Sequence, residues 1–159
     1  MNELAASGDI DPIDRLSILA AALPGAAVGQ RRIAAPFDAV WRVIADLENA
    51  LPRYEPDVAH VRVVERRGEF VRLWVRDTTG HEDAMEARLR PGWCLMQSAS
   101  IVVGFAARCR DGDTVLAHLE HRRLTTRLPG RSGPRHRAAL AKIDEELHVI
   151  ERLATHSGH

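Results

Sequence analysis

Two histidines late in the chain have the chemistry of a proton donor or acceptor. His118 and His121 stand three residues apart in a segment whose alternating pattern predicts a strand. Because side chains three apart on a strand point to opposite faces, this pair cannot share a metal ion. The apolar side chains that share a face with His121 are Val115, Ala117 and Leu119. We therefore expect His121 to point inward, as a general acid or base, and His118 outward; the alternative for His121 is a core or rim histidine bonded to a neighbour.

Arginine and tryptophan alternate with aliphatic residues in the segment 70–76. One face of a strand here carries Phe70, Arg72, Trp74 and Arg76, and the other carries Val71, Leu73 and Val75. If the aliphatic face points inward, the arginines are solvated and the indole covers outer surface. If the other face points inward, two guanidiniums and an indole suit a poly-oxygenated aromatic ligand. A buried arginine would then need a partner, for which Asp83 or Glu86 is available.

The next segment, 81–90, has a clearer pattern. Met85 and Leu89 share one face, which predicts that this face is inward. His81 and Asp83 lie on the same face, nearer the end that would form the mouth of a cavity. The alternative for His81 is a solvated turn residue.

Several classes of chemistry lack their motifs in this sequence. Cys94 and Cys109 have no adjacent histidine to act as a base, which argues against a catalytic thiol. Glycine-rich phosphate loops, nucleophile elbows and zinc-ligand spacings do not occur. We expect neither a cofactor nor a metal.

Composition narrows the class of protein. The 159 residues suit one domain with a real core, and a formal net charge of zero gives no argument for a nucleic-acid partner. No apolar run approaches the roughly 20 residues of a membrane span, so stable membrane insertion is not expected. The N-terminal residues lack the pattern of a signal peptide, which predicts a cytoplasmic protein. We expect a monomer or a homodimer.

Hydrophobic periodicity and turn residues predict the elements that must position these side chains. Helices are predicted at 12–23, after Pro36, at 48–53 and at about 135–154; strands are predicted at 26–34, 58–66, 70–78, 81–90, 93–110 and 114–124. The segment 93–110 is too long for one strand and is divided around 98–103. About seven antiparallel strands must bury one face, and only the last helix is long enough to cover it. The pattern predicts an α+β layer pair.

The stretch from Ile33 to Val58 is the most distinctive motif. It contains an Ala-Pro break after a strand, an amphipathic helix with Val40-Trp41 and Ile44-Ala45-Asp46, and the corner Leu51-Pro52-x-Tyr54-x-Pro56. With the long last helix, it resembles the START-like, or SRPBCC, superfamily. That resemblance implies a helix-grip fold, in which a curved antiparallel sheet grips the C-terminal helix around a deep cavity. It covers about residues 26–154, which leaves 1–25 as an extension with a short amphipathic helix and 155–159 as a disordered tail.

A second motif points to a subgroup. Val71-Arg72-Leu73-Trp74, followed by the strand His81–Leu89, is most similar to bacterial polyketide aromatase/cyclases. The resemblance implies a hydrophobic, aromatic or polyketide-like ligand, aldol cyclisation with dehydration and no cofactor; an acyl-carrier protein is a further candidate partner. It also implies that Tyr54 looks into the cavity mouth, the alternative being a corner tyrosine with its hydroxyl in water.

These expectations define a site. The predicted donors or acids are Tyr54, Arg72, Arg76, His81 and His121. The predicted walls are Trp74, Met85, Trp93 and Phe105, with Leu140, Ile143 and Leu147 on the helix side. Two other functions stay open: a non-catalytic carrier of a lipid, quinone or other apolar ligand, and a protein-interaction module that docks through residues 12–23. An aliphatic inner face of 70–76 would favour the carrier, and an Arg/Trp inner face the cyclase.

Overall fold

One antiparallel sheet and four helices make up residues 10–123 and 133–156, the part of the chain that the computed structural model describes. The helices are α1 (Pro12–Ala22), α2 (Phe37–Ala45), α3 (Leu51–Tyr54) and α4 (Pro134–His156). The strands are β1 (Ala27–Ile33), β2 (Val58–Arg67), β3 (Phe70–Asp77), β4 (Glu82–Arg90), β5 (Trp93–Gln97), β6 (Ile101–Arg110) and β7 (Asp113–Arg122). The predicted α+β class, with a curved sheet around a long last helix, is confirmed.

The seven strands follow the order β1-β7-β6-β5-β4-β3-β2, and every neighbouring pair is antiparallel. The break between β5 and β6 falls where the sequence lacks a glycine-asparagine turn. There the hydroxyl of Ser98 accepts the backbone N–H groups of Ser100 and Ile101 at 3.2 and 3.3 Å. A serine side chain thus stabilises the turn.

Helices α2 and α4 pack on the inner face of the sheet and form the larger core with it. Ile143, Leu147 and Ile150 of α4 are buried there. Gly29 on β1 allows the close approach of α4, because a Cβ atom at this position would lie 2.7 Å from Cγ2 of Ile143. This close packing fixes the orientation of α4 about its own axis, and so determines which of its side chains face the space between helix and sheet.

Helix α1 covers the opposite, outer face of the sheet. Asp11 caps this helix by accepting the N–H of Ile13 at 2.9 Å. Leu16 is fully buried against β6 and β7, and a Cβ atom at Gly104 would lie 2.7 Å from its Cδ1 atom. Strands β6 and β7 are therefore buried on both faces. Helix α1 forms part of the folded core.

The predicted ends of the chain are only partly described. Residues 1–9, the segment 124–132 and residues 157–159 lie outside the described part. Residues 157–159 belong to the tail that is predicted to be disordered. Residues 155 and 156, placed in the predicted tail, belong to α4. Among the described residues, no helix combines the length and apolar character that crossing a membrane requires.

Candidate functional site

A cavity of about 200 Å³ lies between the inner face of the sheet and helices α3 and α4. Its apolar wall consists of Leu51, Val58, Val75, Met85, Met96, Ile101, Val103 and Phe105. Some polar side chains of the lining belong to β7 and α4, and others lie near the end of β3, at the start of β4 and in the turn between β5 and β6. Since drug-sized ligand sites occupy about 300–1,000 Å³, this cavity suits a compact ligand or one end of a longer one.

His118 of β7 is buried in the wall of this cavity. Its ring stacks on Phe105 of β6, with 4.1 Å between centroids and 2° between planes. Nδ1 lies 3.0 Å from the carbonyl oxygen of Gly104. Because a carbonyl can only accept, Nδ1 carries a proton and donates it, which leaves Nε2 as the nitrogen that can pair with another side chain.

Glu146 of α4 holds that second nitrogen. Its Oε2 lies 2.7 Å from Nε2 of His118, and both side chains are almost completely buried. Its other oxygen, Oε1, is buried and has no hydrogen-bond partner among the described residues. A buried carboxylate oxygen left without a hydrogen bond costs free energy. Glu146 thus has an oxygen on the cavity wall that makes no hydrogen bond within the described residues, although the Lys142 ammonium lies 3.4 Å away.

Lys142 lies one helical turn before Glu146 and joins the pair to a larger charge network. Its Nζ atom is 3.0 Å from Glu55, 3.2 Å from Asp57, 3.1 Å from Glu120 and 3.4 Å from Oε1 of Glu146. One ammonium group therefore serves four carboxyl groups. We call the six residues His118, Glu146, Lys142, Glu55, Asp57 and Glu120 the charge network.

Burial and charge shift the protonation of the network strongly. Burial alone would lower the pKa of His118, but the carboxylates of Glu120 and Glu146 outweigh it and raise the pKa to about 9. Burial and the neighbouring Glu146 raise the pKa of Glu55 to about 7, against the opposing charge of Lys142. For Glu120, burial is outweighed by His118 and Lys142, which lower its pKa to about 2. At neutral pH, His118 is an imidazolium and Glu55 is partly protonated.

Tyr54 of α3 lines the cavity beside Phe105. Its ring meets Phe105 edge to face at 5.8 Å between centroids. The hydroxyl is buried and has no hydrogen-bond partner among the described residues. Burial, more than any nearby charge, raises the pKa of Tyr54 well above its usual 10. The phenol therefore keeps its proton and can donate it to a ligand.

A polar rim also lines the cavity. It includes Asp77, His81, Asp83 and Ser100. The backbone N–H of His81 donates to Asp77 at 2.9 Å, and the hydroxyl of Ser100 donates to Asp83 at 3.3 Å. These bonds fix the turns that frame the opening.

His118, Glu120 and Glu146 could together offer ligand atoms to a metal, since one atom of each lies within 4.8 Å of the others. The Lys142 ammonium, however, lies 3.1 Å from Glu120 and 3.4 Å from Glu146. It already supplies the positive charge that a metal ion would bring. While Lys142 is protonated, this donor set does not fit a divalent cation.

Comparison with known proteins rests on solved structures. No protein-family model matches the sequence, and neither does any curated protein. A protein from Thermus thermophilus is similar, with a TM-score of 0.65 and 18% identity over 84% of this chain and 99% of that one. The Zhui aromatase/cyclase from a Streptomyces species has a TM-score of 0.57 and 17% identity, over 82% of this chain and 93% of that one. A START superfamily protein from Mycobacterium smegmatis has a TM-score of 0.59 and 14% identity, over 82% of this chain and 97% of that one.

This chain has the START-like helix-grip fold. The helix-grip fold explains why the polar side chains of β7 and α4 meet, because the sheet curves around that helix. One fold serves many activities, so function must be argued from the site itself.

The helix-grip sheet turns the aliphatic face of β3 inward. Val71 is fully buried, whereas the side chains of Arg72, Trp74 and Arg76 lie on the outer face. Trp74 is 41% exposed, and Arg76 donates to Glu82 on the neighbouring strand at 3.1 Å. The arrangement in which these three side chains line the cavity is therefore wrong. An aliphatic face is the cheaper one to bury, because the guanidiniums stay hydrated.

The expected orientation of β7 is wrong as well. His118 points into the cavity, and His121 lies on the outer face of the sheet, half-buried. The prediction assumed that Val115 and Leu119 mark the inner face. These residues are buried on the outer face beneath Leu16 and the rest of α1.

Four predicted site residues do line the cavity: Tyr54, His81, Met85 and Phe105. Their roles stay predictions. Trp93 does not line it. It belongs to the outer core under α1, where the guanidinium of Arg15 lies 5.5 Å from its ring centroid.

Helix α4 presents a different face to the cavity from the one predicted. Leu140 is 37% exposed, and Ile143 and Leu147 pack in the core beside β1. The α4 residues that line the cavity are Lys142 and Glu146. A signal for this was present, because Glu146 stands beside Leu147 on the apolar seam of the helix, three residues after Ile143. A carboxylate on such a seam must find a buried partner.

Proposed function

We propose that this protein binds a compact aromatic or polyketide-like molecule in its cavity and catalyses dehydration after aldol cyclisation, without a cofactor. The observation that carries the proposal is the Glu146 carboxylate on the wall of an apolar cavity: its Oε2 pairs with the His118 imidazolium, and its Oε1 makes no hydrogen bond among the described residues, with Lys142 at 3.4 Å. Likeness of fold to an aromatase/cyclase is compatible with this chemistry.

The chemical step follows from the positions of Glu146 and Tyr54. Oε1 of Glu146 takes the proton from the carbon that lies between the carbonyl and the hydroxyl-bearing carbon of a β-hydroxy ketone. The electrons of that C–H bond pass to the oxygen of the carbonyl, where the Tyr54 hydroxyl donates a hydrogen bond to the enolate. The enolate then expels the hydroxyl group, which leaves as water with the proton from Glu146. Water and an enone are the products, and Glu146 is again a carboxylate.

The other members of the charge network position the base. The imidazolium of His118 holds Oε2 of Glu146 at 2.7 Å, so Oε1 keeps a fixed direction. Met85 and Phe105 wall the cavity and exclude water around the reacting carbons. Such positioning can contribute as much to the rate as the proton transfer itself.

One observation favours a second candidate function, a non-catalytic carrier. The inner face of β3 is aliphatic, and the expected arginines lie outside. A carrier needs the apolar wall but has no need of a buried proton acceptor. The charge network distinguishes the two functions, because burying charged groups costs free energy and a carrier of an apolar ligand has no need of them.

The test uses a naphthyl β-hydroxy ketone, whose dehydration yields a conjugated enone that is followed by absorbance. We expect the wild-type protein to accelerate the reaction over buffer, and Glu146→Gln to lose at least a hundredfold of that acceleration. Arg76→Ala, on the outer face, is the matched control and should retain the full rate. A ketone that binds without any acceleration would favour the carrier.

A further inference from the structure

The charges around the cavity point to the kind of ligand it accepts. Five of the residues that line it carry carboxyl groups: Glu55, Asp57, Asp77, Asp83 and Glu146. Two lining residues carry a permanent positive charge, Lys142 and Arg122. Even with the His118 imidazolium counted and Glu55 partly protonated, the lining carries more negative than positive charge, although the whole chain is neutral.

The two permanent cations differ in their surroundings, since one is shared among buried carboxyl groups and the other lies at the exposed edge of the cavity. Lys142 is engaged by four carboxyl groups at 3.0 to 3.4 Å, as described above. Arg122 has its guanidinium 3.8 Å from Asp57, and with a side chain that is 64% exposed its charge is largely screened by water. The imidazolium of His118 has both nitrogens occupied, by the carbonyl of Gly104 and by Glu146.

The unused groups in the cavity are an acceptor and a neutral hydroxyl. Oε1 of Glu146 makes no hydrogen bond among the described residues, with Lys142 at 3.4 Å, and the hydroxyl of Tyr54 can donate or accept. A hydroxyl, enol or N–H group on the ligand would satisfy Glu146. A carboxylate would instead place a second negative charge beside it, where the nearest ammonium, Lys142, is already shared among four carboxyl groups.

We propose that the cavity selects its ligand by charge: it takes an apolar molecule that presents an uncharged hydroxyl or N–H donor to Glu146, and it excludes carboxylates. The inference rests on the proposed binding of an apolar ligand, but not on catalysis. It separates this cavity from one that carries free fatty acids or aromatic acids, where a free arginine or lysine would face the ligand.

Three ligands with the same ring test it: naphthylmethanol, methylnaphthalene and naphthoate, titrated calorimetrically into the full chain at pH 7.5. We expect the alcohol to bind most tightly, the hydrocarbon less tightly and the carboxylate at least tenfold more weakly than the alcohol. A carboxylate that binds as tightly as the alcohol overturns the inference and leaves the proposed binding intact. If none of the three binds, the proposed function fails and the inference fails with it.

Variants assign the selectivity to the named groups. In Glu146→Gln, the affinity for naphthoate should rise at least fivefold, with Glu145→Gln on the exposed face of α4 as the control. Because a change at a buried pair can disturb folding, the rim variant Asp57→Asn/Asp83→Asn provides a second test at more exposed positions. It should also strengthen naphthoate binding, and a naphthoate affinity unchanged in both variants would overturn the inference.

Discussion

Nε2 of His118 lies 2.7 Å from Oε2 of Glu146, and this contact joins the last strand to the last helix inside the cavity. The two residues are 28 positions apart in the chain. Both are buried, so neither charge can be hydrated once its partner is lost. The pair connects β7 to α4, and it is also the part of the site where a proton can move.

Removing one partner should therefore destabilise the protein. We expect Glu146→Ala to lower the free energy of unfolding by about 3 kcal/mol, because it leaves the His118 imidazolium buried without its closest counter-charge. Glu145→Ala, at the next position but exposed, should change it by less than about 0.5 kcal/mol. Urea denaturation of both variants measures the difference, and equal effects would mean that the pair is not formed.

Stability should depend on pH in a direction set by the same network. The pKa of His118 is raised from 6.5 to about 9 and that of Glu55 from 4.5 to about 7, so each contributes stability that is lost as the pH rises through the folded value. The pKa of Glu120 is lowered from 4.5 to about 2, so its contribution is lost as the pH falls through 2. Stability should be greatest near about pH 5.

The loss of stability at alkaline pH tests whether His118 is an imidazolium in the folded protein. Between pH 6.5 and 9, we expect a loss on the order of 2–3 kcal/mol in the wild-type protein, measured by urea denaturation at several pH values. His118→Gln should lose most of this slope between pH 7 and 9. A wild-type stability that rises over this range would contradict the imidazolium at neutral pH.

The hydroxyl of Tyr54 should cost stability and support binding. Because it is buried without a partner, Tyr54→Phe should raise the free energy of unfolding by about 1 kcal/mol. The same change should weaken binding of naphthylmethanol and slow the dehydration described above. A gain in stability with a loss of function is typical of a site side chain. A loss of stability would instead show that the hydroxyl has a partner in the free protein.

Helix α1 should be part of the folded core. Leu16→Ala should lower the free energy of unfolding by about 3 kcal/mol, because Leu16 is fully buried against β6 and β7. Ile18→Ala is the matched control, since Ile18 on the same helix is 60% exposed, and it should cost less than about 0.5 kcal/mol. Equal, small effects would show that α1 is dispensable, as an accessory segment would be.

Much of the architecture could be predicted from residue types and their spacing. The period of two along β2 to β4, the Pro36 break and the apolar seam of α4 predict elements that the structure has within a few residues. These signals are local, because each depends on neighbours in the chain. The resemblance of its corner to a known superfamily predicts Tyr54 at the cavity mouth; the structure shows that Tyr54 lines the cavity as a buried side chain.

What tertiary structure alone decided is which face of each strand meets the cavity. Alternation shows that Leu119 and His121 share one face and His118 the other, but it does not say which face is inside. That choice depends on α1, which covers the outer face of β6 and β7 and buries Leu119 there. With apolar cover on both sides, His118 can face inward, provided that α4 brings Glu146 within 2.7 Å. Pairing across 28 residues is a property of the packed helix and sheet, and no local pattern in the sequence contains it.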